Sequence, residues 1–181
     1  MNWQWTIAKH DPDWKSLFLG IGTGLREALG ELAVRIDHVG STSVPGLDAK
    51  PIVDIQISVM DDEDLAAYKA KIEGLGFQWR SDNPDRTKKY FRETPGSRRT
   101  HIHVRRAGSF SEQLTLLFRD YLRAHPADCL NYAAEKHRLF ELYRHDRPKY
   151  VEGKGPVVWE ILRRAHGWSQ ETGWKPGRSD A

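Results

Sequence analysis

The residues with the most chemical promise in this 181-residue chain are one carboxylate, two imidazoles and a run of small hydroxyl-bearing residues. The run is Gly40-Ser41-Thr42-Ser43-Val44-Pro45-Gly46. Its glycine admits close approach of a ligand to the backbone, and its hydroxyls and N–H groups can donate to a phosphate; the same composition also makes an ordinary turn. Asp54 follows Ser41 by thirteen residues. A carboxylate near a phosphate-cradling turn is where Mg²⁺ or Mn²⁺ bridging to a polyphosphate would be held. His101 and His103 are two positions apart, so on a strand they share a face about 7 Å apart, near enough to share a metal or a phosphate. The same spacing also describes two surface imidazoles beside arginines. His103 titrates near neutrality when free and is therefore the acid or base candidate, with Asp54 as the other catalytic candidate. His38, three residues before Ser41, is placed to brace the loop.

The charge is unevenly spread. Net charge is +3, yet residues 1–79 carry −5 and residues 80–106 carry +6, the latter including His101 and His103. A short basic stretch of this kind concentrates phosphate-bearing ligands, or simply faces water as a solvated hairpin. Lys50, Lys89, Arg99 and Lys154 are the cations available to clamp a triphosphate together with Gly40, Ser41, Thr42 and Ser43, and Arg99 is the one suited to bidentate contact. Of the seven tryptophans, Trp79 lies beside the basic stretch and is the candidate for stacking on a base, with Tyr90 second.

These side chains need elements to position them. Asp11-Pro12-Asp13, followed by Trp14, Leu17, Phe18, Ile21, Leu25 and Leu29, predicts a helix that stops at Gly30. Residues 34–39 alternate as a strand and run straight into the small-residue loop. In the next strand, 51–59, Val53, Ile55, Ile57 and Val59 point one way while Ile52, Asp54, Gln56 and Ser58 point the other. Asp61 or Asp62 is expected to cap a helix through Leu75, with strands at 77–81, 88–94 and 99–106 after it. Helices beginning at Ser111, after Pro126 and after Pro156 complete the chain, and the polar segment from Ser169 to Ala181 is expected to fray. The order predicts an α+β fold: a mixed or antiparallel sheet flanked by helices, with a C-terminal helical block, as one domain over 1–168 and a polar tail over 169–181.

The segment Ile36-Asp37-His38-Val39-Gly40-Ser41-Thr42-Ser43-Val44-Pro45-Gly46-Leu47-Asp48-Ala49-Lys50-Pro51-Ile52-Val53-Asp54-Ile55 closely resembles the signature of the GrpB (UPF0157) family, within the nucleotidyltransferase superfamily. The resemblance continues through Arg99–Val104, Phe118–Arg123, Tyr132 to Lys136 and a stretch near Lys154. It implies a Gly-Ser turn at Gly40 and Ser41, a first metal-binding carboxylate at Asp54, a second carboxylate two residues on and a third on a later strand, together holding divalent metals. The second position is Gln56 here, a neutral amide that coordinates only through oxygen, and the later strand offers His101 or His103 in place of an acid. One carboxylate with imidazoles suits Mn²⁺, Zn²⁺ or Fe²⁺ better than Mg²⁺. Members of this family also occur fused to dephospho-coenzyme A kinase. The loop lacks the Gly-Lys-Ser/Thr ending of a P-loop and the dinucleotide fingerprint, so nothing in this chain supports kinase chemistry.

Three readings follow. The leading one is a nucleotidyltransferase-like protein that binds a nucleoside triphosphate and a divalent metal and transfers a nucleotidyl group to an acceptor. The alternative is a non-catalytic nucleotide or phosphate-ligand binding module on a degenerate fold of that kind. The third is metal-assisted chemistry of another type, hydrolytic for example, at Asp54, His101 and His103. Nucleic acid is not expected as a partner, because no recognition-helix pattern or RNP-type aromatic strand is present. The single cysteine, Cys129, rules out an intrachain disulfide and a cysteine-based zinc site, and no run approaches the ~20 apolar residues of a membrane span. A cytoplasmic protein is expected.

Overall fold

A computed structural model describes residues 5–181, so Trp3 lies outside the described residues. Helix α1, Asp13–Leu29, buries Trp14, Phe18, Leu25 and Leu29 along one stripe, as their spacing requires. The Asp11 carboxylate accepts the Asp13 N–H at 2.9 Å at its start, and Gly30, at φ 55°, ends it. Strand β1, Arg35–Val39, leads into a 3₁₀ turn, Ser41–Ser43, and then β2, Val53–Val59. Helix α2, Leu65–Glu73, starts later than expected. Neither Asp61 nor Asp62 caps it: the Asp61 carboxylate closes a turn onto the Glu63 N–H, and the Asp62 carbonyl accepts the Tyr68 hydroxyl. Strands β3, Phe77–Trp79, β4, Lys89–Glu93, and β5, Thr100–Arg106, follow.

The helical block holds α3, Phe110–Ala124, α4, Pro126–Leu142, α5, Arg147–Gly153, and α6, Gly155–Thr172. Ser109, not Ser111, caps α3; its hydroxyl accepts the Glu112 N–H, and the Glu112 carboxylate accepts the Gly108 N–H at 3.0 Å. The short α5 was not anticipated from the sequence. Among the described residues no helix is long and apolar enough to cross a membrane.

The five strands form one mixed sheet in the order β1-β2-β5-β4-β3, antiparallel except for the parallel β2·β5 pair. The fold is therefore α+β, as the order of elements predicts. One sheet face carries Ile55, Ile57, Phe91, Ile102 and Val104 and packs against Phe18 and Leu25 of α1 and Tyr68 and Ile72 of α2. The polar face is only half open. Helix α3 covers its far end, where the Ser58 hydroxyl donates to the Glu112 carboxylate at 2.7 Å and the Gln56 amide donates to the Glu112 carbonyl at 3.3 Å. Asp54, His101 and His103 occupy the uncovered end.

The loop between β1 and β2 is anchored from below. Val44 and Leu47 are buried among Leu117, Tyr121, Tyr132 and Ile161, joining the loop to the helical block at roughly 1.5–3 kcal/mol for each buried side chain. The segment after α6 does not fray. The Trp174 indole donates to Asp120 at 3.2 Å; the Ser179 hydroxyl accepts the Ile36 N–H at 2.8 Å; the Asp180 N–H donates to the Ile36 carbonyl at 3.1 Å. The Asp180 carboxylate accepts the His38 N–H at 3.0 Å and an Arg119 guanidinium N–H at 3.0 Å. Polar composition suggested solvation, but these polar groups are matched to backbone and side-chain groups along β1.

Candidate functional site

Parallel pairing places Asp54 opposite His101 and Gln56 opposite His103. The Nδ1 of His101 and the Nε2 of His103 both lie 3.2 Å from the same oxygen, Oδ1 of Asp54. The other face of the carboxylate rests on Gly40, where φ is 69° and a Cβ would stand 2.7 Å from Oδ2. Glycine at this position thus serves both a left-handed backbone and a carboxylate that takes up the space of a side chain. Burial by itself would raise the Asp54 carboxyl, but the hydrogen bonds from His101 and His103 hold it well below the usual carboxylate range. Burial pushes the His103 imidazole down, against the pull of Asp54.

One ligand atom from each of Asp54, His101 and His103 fits within a 4.8 Å group, the compactness a single metal ion requires. The donor set, one carboxylate and two imidazoles, suits a borderline divalent ion. His101 Nε2, His103 Nδ1 and Gln56 Oε1 are buried without a hydrogen-bond partner, so polar capacity is left over beside the cluster. Gln56 itself is fully buried beneath α3, and its amide nitrogen is spent on Glu112.

The loop residues divide by role. The Thr42 hydroxyl donates to the Ile52 carbonyl at 3.1 Å and accepts from His38 Nε2 at 3.0 Å, and the Ser43 hydroxyl donates to the Gly40 carbonyl at 2.6 Å. Both hydroxyls hold the turn together. His38 is the expected brace: it stacks on Phe18 at 4.8 Å, and burial, with Arg123 and Arg119 adding, pushes it down to about 4. Ser41 faces a cavity of about 170 Å³ that also reaches Asp54, His101, Lys50, Lys136, Arg147 and Lys154.

That cavity is a concentration of positive charge. Lys136, 3% exposed, donates to Ser41 Oγ at 3.1 Å and to the Asp48 carbonyl. The Lys50 ammonium lies 4.2 Å from the ring centres of both Trp5 and Tyr150, and Lys154 lies 5.2 Å from Tyr150. Burial first, then Lys154 and Arg147, push Lys50 down to about 7; burial, then Lys154, pushes Lys136 to about 7; burial also lowers Lys154. Cations that depress one another in a shared hollow mark a place suited to an anion.

Of the sequence candidates, Gly40, Ser41, Lys50, Asp54, His101, His103 and Lys154 come together here. Arg99 is held by Glu93 at 2.7 Å and acts on Lys50 through its charge. Lys89 does not join: it lies on the opposite, core-side face with Phe91 and pairs with Glu63 at 2.7 Å. Lys136 and Arg147 line the same cavity and were not among the candidates named from the sequence. Lys136 carried a signal, a charge set between Tyr132 and Leu139 on the buried stripe of a helix; Arg147 carried none.

The GrpB protein family profile matches residues 4–164. A UPF0157 protein of Pseudomonas aeruginosa is 43% identical over 158 residues, covering 86% of this chain, which spans 65% of that relative's length. The crystal structure of the conserved protein GrpB from Enterococcus faecalis superposes with a TM-score of 0.81 at 28% identity, covering 88% of this chain and 96% of that one. Terminal uridylyl transferase 4 from Trypanosoma brucei with bound dUTP shares the fold at a TM-score of 0.55 and 17% identity, over 87% of this chain and 56% of that one. With its loop, carboxylate and β5 histidines inside the matched span, this chain belongs to the GrpB (UPF0157) family, on a fold resembling that of nucleotidyltransferases.

Proposed function

We propose that this chain binds a nucleoside triphosphate together with a divalent metal and transfers the nucleotidyl group to an acceptor hydroxyl. The observation that carries this reading is the hollow of Lys50, Lys136, Arg147 and Lys154 opening directly onto Asp54 and His101. Four cations against the polyanionic chain of a triphosphate supply the charge match, and Ser41 adds a hydroxyl. Asp54 and His101, with His103 beside them, would hold the metal, which when bound neutralises and orients the phosphates. In the transfer, the acceptor oxygen bonds to the α-phosphorus while the bond from that phosphorus to the pyrophosphate oxygen breaks, and pyrophosphate departs with the electron pair. The hydroxyl proton leaves to solvent as the new bond forms; His103, whose Nε2 faces Asp54 and whose Nδ1 is buried, serves as a ligand in this reading.

Calorimetric titration of four nucleoside triphosphates, with Mn²⁺, with Mg²⁺ and with neither, tests it on the native chain and on Asp54→Ala. Metal-dependent binding that the substitution abolishes, together with pyrophosphate release in the presence of an acceptor mixture, is the expected result. Triphosphate binding that ignores both metal and substitution sinks it. A second reading, a binding module without turnover, is favoured by Gln56, which occupies the second carboxylate position and is fully buried. That reading predicts nucleotide binding with no pyrophosphate release.

A further inference from the structure

The cations around Asp54 differ from those of the basic stretch in what holds them. Arg80, Lys88, Lys89 and Arg99 are each paired with an acid, Asp82, Asp85, Glu63 and Glu93 in turn. None of Lys50, Lys136, Arg147 and Lys154 pairs with a carboxylate among the described residues. The three lysines rest instead on aromatic rings, a hydroxyl and a backbone carbonyl. The four are graded in depth, from buried Lys136 through half-buried Lys50 and Lys154 to exposed Arg147. At about 170 Å³ the hollow falls short of the roughly 300 Å³ at which pockets begin to enclose a whole drug-sized molecule, so it takes in one part of a nucleotide and leaves the rest outside.

Among the described residues, the tyrosine and tryptophan rings around the hollow are already engaged. Tyr150, which lines it, is 2% exposed and has Lys50 at 4.2 Å, Lys154 at 5.2 Å and the Trp5 ring at 4.5 Å from its centre. Trp5 also packs on Phe140 at 4.6 Å, and Tyr132 has the Lys136 ammonium at 4.7 Å. On the other flank of the cluster, Tyr90 stacks on His103 at 5.4 Å, with Lys88 5.4 Å from its ring centre. Trp79, the base-stacking candidate from the sequence, pairs with Phe91 across β3 and β4 and packs on the core side of the sheet, away from Asp54. The lining side chains are equally poor readers of a base edge. Lysine and arginine only donate, the Thr42 hydroxyl is spent on His38 and Ile52, and neither asparagine nor glutamine is among the described lining residues.

We infer that the hollow recognises the triphosphate group itself and takes any triphosphate ester, the nucleoside outside it adding little to affinity. The inference rests on the proposed function for its occupant and narrows it, because base identity then goes unread. Phosphate oxygens are acceptors, the complement of four donor-only cations and the Ser41 hydroxyl.

The test compares methyl triphosphate, which keeps the phosphate chain and its ester linkage but has neither sugar nor base, with the four common nucleoside triphosphates and their free nucleosides. Each is titrated calorimetrically into the full chain at one fixed concentration of free Mn²⁺. A base stacked on an aromatic side chain adds about fivefold or more, which sets the scale. The expected result is that methyl triphosphate and all four nucleotides lie less than about fivefold apart and that the nucleosides do not bind. Arg147→Gln, at an exposed position, weakens all five triphosphates by one common factor of about tenfold, and Lys154→Met, checked for folding by circular dichroism, does the same. The inference is overturned if any nucleotide binds about fivefold or more tighter than methyl triphosphate, if a nucleoside binds alone, or if both substitutions leave binding unchanged. Equal binding of all five that ignores Mn²⁺ and Asp54→Ala, or that yields no pyrophosphate, keeps this inference and removes the transfer. Base-selective, metal-dependent binding with pyrophosphate release does the reverse, and failure of all five to bind removes both.

Discussion

Gly40 presses its backbone against the Asp54 carboxylate so closely that a methyl group on its α-carbon would meet Oδ2 at 2.7 Å. Gly40→Ala therefore carries two penalties, a left-handed φ of 69° and a clash with a side chain held by two imidazoles. The expected loss is about 1–3 kcal/mol, read from urea denaturation. Because Asp54 must turn away, metal affinity falls in parallel, which a destabilising change elsewhere in the loop would not cause.

The cluster itself predicts a metal preference. One carboxylate with His101 and His103 should bind Mn²⁺ or Zn²⁺ more tightly than Mg²⁺, and His101→Ala should weaken binding by an order of magnitude, about 1.4 kcal/mol. Electron paramagnetic resonance of Mn²⁺ titrated into the native and variant chains measures both. Equal affinity for Mg²⁺ and Mn²⁺ would contradict the ligand assignment.

The lysine cavity predicts an unusual pH dependence. Lys50 and Lys136 lose their protons near 7 in the folded chain and near 10.5 when unfolded. Between these values the unfolded chain binds more protons, so these two groups make stability rise as pH increases from about 7 towards 10.5 and cost stability below 7. Lys136→Met should flatten the rise, seen by comparing Tm of native and variant chains at pH 7 and pH 9. A bound polyphosphate reverses the preference: at pH 8 binding takes up protons, which appears as a buffer-dependent enthalpy, and affinity declines as pH rises.

Arg119 predicts the largest loss of stability. Its guanidinium is 3% exposed and contacts Asp120 at 2.7 Å, Asp180 at 3.0 Å, the His38 carbonyl at 3.2 Å and Asp37 at 3.4 Å. Arg119→Met strips the buried Asp37 of one of two arginines, Arg35 remaining at 2.8 Å. The expected cost is about 3 kcal/mol, at the lower end for a broken buried pair because of that second partner. Chemical denaturation should show it, with amide exchange at Ile36 and His38 accelerating as the segment after α6 loosens.

What could be read from the sequence follows from distance along the chain. The stripe of α1, the stop at Gly30 and the small-residue loop are local patterns, and each stands where its spacing put it. Strand parity put Asp54, His101 and His103 on polar faces. It could not show that β2 and β5 run parallel in a register that sets Asp54 opposite His101, because that pairing spans 47 residues and an intervening hairpin. Parity also held the answer for Lys89, which lies two residues before the core residue Phe91 and so shares its face. Lys136 and Arg147 reach the cavity only because α4 and α5 fold back over the loop, a tertiary arrangement with no local signature. The half-buried polar strand face had the same cause: α3 lies over Gln56 and Ser58, and Glu112 supplies their partners.

The residues after α6 have a further effect through Ile36. Strand β1 is an outer member of the sheet, and its free side would otherwise offer a row of unpaired backbone groups to any extended chain it met. Ser179 and Asp180 occupy the Ile36 N–H, the Ile36 carbonyl and the His38 N–H, so β1 is closed to strand addition. The same contacts that steady the entrance to the Gly40 loop thereby close this side of the sheet to edge-to-edge self-association.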